Sequence, residues 1–248
     1  MTSGAASPSI TDAGDYIFRN RLSGKIEVEA MAQFIVKEKK LLNIGVIYIN
    51  NDYGKGYEKI FSLMFRSLGG KIQLEEGFEQ NQTDFKSLIK KFKDNKIVDM
   101  YLIAFAQEGG NILKQSFEQG YTANWFSANA IEGPEFIKIA DKSGEGLIYS
   151  VARYDTSDSL AINFNNDYKA SYGYNSEMFA ANAYDAINLA ANAFANTNGS
   201  GEQIKTYLYS ISGYPGVAGL TSFDKNGDVL RPVMFKIVSN GKFIPLKK

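Results

Sequence analysis

From residue 25 to residue 151 the apolar positions follow two periods that take turns. In "IEVEAMAQFIV" (26–36), Ile26, Ala30 and Phe34 recur at helical spacing, with Met31 and Ile35 beside them. "NIGVIYI" (43–49) is instead an unbroken apolar, β-branched run, the pattern of a strand covered on both faces. Next, Tyr57, Ile60, Phe61, Met64, Phe65 and Leu68 fall at i, i+3, i+4, i+7, i+8 and i+11, which predicts an amphipathic helix. Gly69-Gly70 offers that helix a left-handed C-terminal cap. A short strand "KIQLEE" follows, then a helix with the stripe Phe85, Leu88, Ile89 and Phe92, for which Thr83 is the expected cap. The alternation continues through a strand "IVDMYLIAF", a helix "EGGNILKQSFEQG", and strands at "NWFSA" and "GLIYSVA". Strand–helix alternation with short connections predicts an α/β fold, a parallel sheet flanked by helices.

Beyond residue 151 the pattern changes. Helices are expected over 159–172 and 176–196, the second carrying Phe179, Ala183, Ile187, Ala190 and Phe194 along one side, with a third near 202–211. The chain ends in strands joined at Asn226-Gly227 and Asn240-Gly241, strong short-range hairpin signals.

Ligands of open parallel sheets bind beyond the carboxyl ends of the strands. Tyr53 follows "GVIYIN", Phe105 follows "DMYLIA" and Asn129 follows "NWFSA". Any one of them could simply cover a sheet edge. Together, two aromatics and an amide delivered by three strands point to a cleft.

Composition narrows the chemistry. With 44% hydrophobic residues the chain can bury a core. Lysine plus arginine equals aspartate plus glutamate at 27 each, and no basic stripe suggests nucleic acid. No apolar run approaches the roughly 20 residues that cross a bilayer. "MTSGAASPSIT" has neither the charged nor the apolar region of a signal peptide. There is no cysteine and no histidine, which excludes disulfides, thiol nucleophiles, thiolate or imidazole metal ligands and histidine-dependent triads. No metal or cofactor is expected, and acid–base work would fall to carboxylates, lysine or tyrosine.

Three motifs are set aside. "GKGYEK" has Lys59 where a dinucleotide turn needs its third glycine, and reads as a helix start. "DKNGD" (224–228) has its glycine two positions early for a calcium loop, and Phe235 stands where the bidentate glutamate belongs, so a turn is expected. The lysines of "KSLIKKFKDNK" alternate with the apolar stripe and read as a solvated helix face.

In order along nearly the whole chain, "SGAASPSIT…DYIFRN", "NDYGKG…GG", "TDFKSLIKKFKDNKIVDMYLIAF", "WFSANA", "GEGLIYS", "AANAYDAINLAANA" and "FDKNGD" resemble the branched-chain amino-acid-binding family of periplasmic solute receptors for ABC transporters, the type I periplasmic binding proteins. The resemblance implies two α/β lobes that close on a small solute for delivery to the membrane subunits of a permease, with a periplasmic or extracellular location for the full-length parent. It implies one complete lobe from 21–151 with 221–248, and the remnant of another from 1–20 with 152–220. The "SGAAS" loop would hold a ligand carboxylate through Gly4, Ala6 and Ser7, while Tyr53, Phe105 and Asn129 come from the other lobe.

Two departures accompany the resemblance. Amino-acid-binding members carry an acid where this chain has Asn129, so either Glu132 substitutes or the ligand is not a simple α-amino acid. The family pattern also begins upstream of the "SGAAS" loop, so much of one lobe's sheet is expected outside this sequence. The apolar side of 176–196, with Phe179, Ile187 and Phe194, would then need cover from a second copy or a separately supplied N-terminal fragment. Two other classes stay open. One is a ligand-sensing receptor domain of the same fold, distinguished by an adjoining transmembrane segment. The other is a carboxylate-dependent enzyme using Asp52 with Glu108.

Overall fold

The computed structural model describes residues 1–154 and 157–246. The chain forms two compact units, residues 1–24 with 152–232 and residues 25–151 with 233–248. In chain order the elements are α1 (Gly24–Gln33), β1 (Asn43–Ile49), α2 (Asp52–Ser67), β2 (Lys71–Phe78), α3 (Lys86–Asp94), β3 (Asp99–Ile103), α4 (Ala106–Glu118) and β4 (Asn124–Ser127). They continue with α5 (Pro134–Ala140), β5 (Ile148–Ala152), α6 (Ser159–Tyr172), α7 (Met178–Ala195), α8 (Gly201–Ser210), β6 (Tyr214–Gly216), β7 (Gly219–Thr221), β8 (Val233–Ser239) and β9 (Lys242–Pro245).

The unit built on 25–151 holds a seven-stranded sheet in the order β2-β1-β3-β4-β5-β8-β9. From β2 to β5 every pairing is parallel, with Val46 opposite Tyr101 and Tyr101 opposite Phe126. β8 and β9 form an antiparallel hairpin closed at Asn240-Gly241, as the sequence predicts. The central strands are apolar because helices cover both faces: Val46, Ile47, Tyr101 and Leu102 are fully buried. Phe61 of α2 stacks on Tyr101, ring centroids 4.1 Å apart, which locks that helix to β3. Each such buried ring contributes roughly 1.5–3 kcal/mol.

Two glycines set how closely the layers approach. A Cβ on Gly45 would lie 2.7 Å from Met100 Sδ and 2.9 Å from the Phe92 ring, so α3 settles directly over β1. A Cβ on Gly54 would lie 1.8 Å from the Ile49 carbonyl oxygen, so only glycine lets α2 turn back against the strand it leaves. Asn51 caps this helix, its Oδ1 accepting from the Gly54 amide at 3.0 Å. The "GKG" sequence is thus a capped, closely packed helix start.

Local chemistry overrules one expected cap. Thr83 does not cap α3; Asp84 Oδ1 accepts from the Lys86 amide at 3.0 Å, while the Thr83 carbonyl accepts from Gln115 Nε2 at 2.7 Å. A carboxylate two residues ahead reaches the first free amide better than a more distant hydroxyl.

Residues 221–232, grouped by the sequence reading with the large sheet, pack in the other unit. Buried polar pairing takes them there. Arg231 donates to Thr221 Oγ1 and Asn20 Oδ1, each at 3.0 Å, and to Asn182 Oδ1 at 2.6 Å. Asp228 accepts from Arg19 Nε at 2.7 Å and from Thr11 Oγ1 at 2.6 Å. The "DKNGD" segment is the expected turn, with Gly227 at φ 76° and Asp224 Oδ1 accepting from the Asn226 and Asp228 amides, but it closes only a single antiparallel bridge, Phe223 to Val229, and does not join two strands as the Asn226-Gly227 pair predicts. Phe18, Leu189, Ala193, Leu208, Phe223 and Val229 make this unit's core.

The apolar stripe read along 176–196 faces away from that core. α7 buries its other side, through Ala181, Asn182, Asp185, Leu189 and Ala193. Phe179, Ile187 and Phe194 remain 43%, 71% and 59% exposed. Periodicity located the stripe but could not say which side the unit would cover.

Candidate ligand site

Parallel pairing puts the carboxyl ends of β1, β3 and β4 on one edge of the large sheet. Tyr53 sits in the first turn of α2, Phe105 is the residue from which α4 starts, and Asn129 opens a short 3₁₀ turn after β4. The structure brings the first two into contact. The Tyr53 and Phe105 rings stack with centroids 5.4 Å apart and planes 15° from parallel. Tyr57, one turn further along α2, packs on Tyr53 at 4.4 Å.

Asn129 joins this cluster through a residue the site reading missed. Glu27 of α1 is fully buried, and its Oε1 accepts from the Asn129 amide at 2.8 Å and from Ser150 Oγ at 3.4 Å. Its Oε2 accepts from the Tyr57 hydroxyl at 3.3 Å. Tyr101 lies beneath the same edge; burial, with Tyr53 and Glu27 nearby, holds its phenol well above the ordinary value. The signal for Glu27 is visible in the sequence. It stands four residues before Met31 and eight before Ile35, on the side of α1 that the structure buries.

Other carboxylates are engaged elsewhere. Glu132 forms an ion pair with Lys236, Nζ to Oε1 2.6 Å. Glu108 is buried and accepts from the Asn81 amide at 3.1 Å, whereas Asp52 is exposed, and no hydrogen bond joins the two. Among the described residues no group of three or more Asp or Glu could hold a metal ion.

Gly4, Ala6 and Ser7 belong to the other unit, on one loop. Its carbonyls are held: Gly4 by Arg21 at 2.7 Å, Ala6 by the Gly24 amide at 3.0 Å, and Ser7 by Arg19 at 2.7 Å. Among the described residues, the backbone amides of Ser3 to Ser7 donate to no protein acceptor. Arg21 is buried and also lies over the Phe179 ring, 4.6 Å from its centroid. The loop therefore presents donors beside a guanidinium, an arrangement suited to an anionic group.

A family model described as periplasmic binding protein matches residues 2–242. The chain belongs to this family. A curated relative in Pseudomonas aeruginosa, a leucine-, isoleucine-, valine-, threonine- and alanine-binding protein, is 26% identical over 154 residues, 62% of this chain and 41% of the relative. The match thus spans about two fifths of that protein's length. Among solved structures, a leucine-binding protein of Thermotoga maritima superposes with a TM-score of 0.91 at 24% identity, covering 99% of this chain and 71% of that one. The isoleucine-bound substrate-binding protein of a branched-chain amino acid transporter from Streptococcus pneumoniae gives 0.85 at 24% identity, with 97% and 69% covered. At these identities the solved structures establish the fold. No helix among the described residues is long and apolar enough to cross a membrane.

Proposed function

We propose that this chain is the extracytoplasmic solute-binding component of an ABC importer and captures an amino-acid-like ligand with an apolar side chain. The observation that carries the reading is the Tyr53–Phe105 stack at the strand ends, with Asn129 tied into the same cluster. Stacked aromatics desolvate an aliphatic side chain, and amides with no protein acceptor suit a carboxylate. In this reading Gly4, Ala6 and Ser7 meet the carboxylate, Tyr53 and Phe105 meet the side chain, and Asn129 meets the amine. Binding raises the population of a closed state that the membrane subunits of the permease recognise. The relatives named above for leucine, isoleucine and valine support branched-chain amino acids as the ligand class.

Calorimetric titration with leucine, isoleucine, valine, charged amino acids and deaminated analogues tests the reading. Saturable heat confined to the apolar amino acids is expected. Binding of charged amino acids in preference to apolar ones would overturn it.

A further inference from the structure

A pocket of about 320 Å³ opens at the amino ends of the strands, at the opposite edge of the large sheet from Tyr53 and Phe105. Strand pairing explains why it is there. β4 meets β5 only from Phe126 opposite Ile148 onwards, so Asn124 and Trp125 have no partner in β5. The stretch leading into β5 is tied to the β8–β9 hairpin instead. The Gly146 amide donates to the Val238 carbonyl at 2.9 Å, and the Val238 amide donates to the Leu147 carbonyl at 2.9 Å. The gap left between the two strand starts is large enough for a small molecule.

The walls are apolar, from Leu41, Trp125, Phe126 and Ile148, and two charges stand among them, Lys39 and Glu145. Glu145 is engaged: its Oε2 accepts from the Asn240 amide at 2.8 Å and its Oε1 from the Gly241 amide at 2.7 Å, which fixes the hairpin. Lys39 is not. Its Nζ lies 5.4 Å from the Phe34 ring centroid and, among the described residues, forms no ion pair. An anion entering the pocket meets an ammonium with open hydrogen-bond capacity, while its apolar body meets the indole and the aliphatic walls. A cation would meet that ammonium as a like charge, beside a carboxylate whose two oxygens are each already bonded. We propose that this pocket is a second ligand site, for a small carboxylate carrying an aliphatic or aromatic body, independent of the strand-end cluster.

Trp125 is the chain's single tryptophan, so indole emission reports on this pocket. The test titrates the full chain with 3-phenylpropanoate and with 3-phenylpropylamine, which share an aromatic body and differ in the sign of their charge. A saturable change in emission is expected with the carboxylate, half-complete at or below about 1 mM, and a response on the order of tenfold weaker with the amine. Lys39→Met keeps an apolar stem and removes the charge at an exposed position, so the fold should be retained. It should raise the half-saturating carboxylate concentration roughly threefold to tenfold. The Tyr53→Ala/Phe105→Ala variant should titrate as the unmodified protein does. No saturable change with 3-phenylpropanoate up to about 10 mM would overturn the inference, as would an equal or stronger response to the amine or an unaltered titration in Lys39→Met. Loss of the signal in the Tyr53→Ala/Phe105→Ala variant would move the carboxylate to the strand-end cluster and overturn it as well.

Discussion

Tyr53 and Phe105 lie nearly face to face, centroids 5.4 Å apart and planes inclined by 15°, although they follow different strands. The contact exists because β1 and β3 are parallel neighbours, so the segments leaving them emerge side by side. Tyr53→Ala is expected to weaken leucine binding by about 1–3 kcal/mol, the usual cost of losing one buried aromatic contact. Tyr53 lies only partly buried at the edge, so global stability should change far less. Calorimetry and a urea melt on the same variant separate the two effects.

The Arg19–Asp228 pair ties the start of the chain to the 224–228 turn from inside the first unit, at 2.7 Å with side-chain exposures of 0% and 5%. Removing one partner strands the other charge. Asp228→Ala is therefore expected to destabilise by about 3–5 kcal/mol, read from the urea midpoint.

At Gly54 a side chain has nowhere to go, because the obstacle is backbone. Gly54→Ala should cost roughly 1–3 kcal/mol or more and move Tyr53, which precedes it. Thermal unfolding measures the first, and near-ultraviolet circular dichroism of the tyrosine cluster reports the second.

Burial holds the Glu58 carboxyl above its ordinary value; the Ser62 hydroxyl pulls it down, and the neighbouring Glu75 carboxylate pushes it up again. A folded-state pKa above the unfolded one means that the folded state binds the proton more readily. Its favourable contribution is present at low pH and is lost as pH rises through the raised value. Glu58→Gln is expected to be more stable than the unmodified protein at pH 7, with the gap closing towards about pH 4. Denaturant melts across that range check the sign.

Much of this architecture is legible in the sequence because period and length decide it. The runs at 43–49 and 99–103 read as doubly covered strands, and Asn240-Gly241 as a tight hairpin, and the structure has both. Tyr53, Phe105 and Asn129 were readable as strand-end residues for the same reason. What escaped depends on contacts between distant segments. Glu27 is an ordinary acid by composition, and only its place on the buried side of α1 marks it. Residues 221–232 look like a lead-in to β8, yet Arg231 and Asp228 draw them to Asn20, Asn182 and Arg19. α7 offers two apolar sides, and choosing between them takes the packing of Leu189 and Ala193 against Phe18 and Phe223.

The central claim is that the aromatic edge of the large sheet touches an aliphatic ligand. Saturation-transfer NMR with L-leucine measures that contact directly, once calorimetry has placed the affinity in the weak, fast-exchanging range that the method needs. Strong transfer to the leucine methyls is predicted, falling sharply in the Tyr53→Ala/Phe105→Ala double variant while its fold is retained. Transfer that is undiminished in the double variant, or absent from the unmodified protein, would contradict the account.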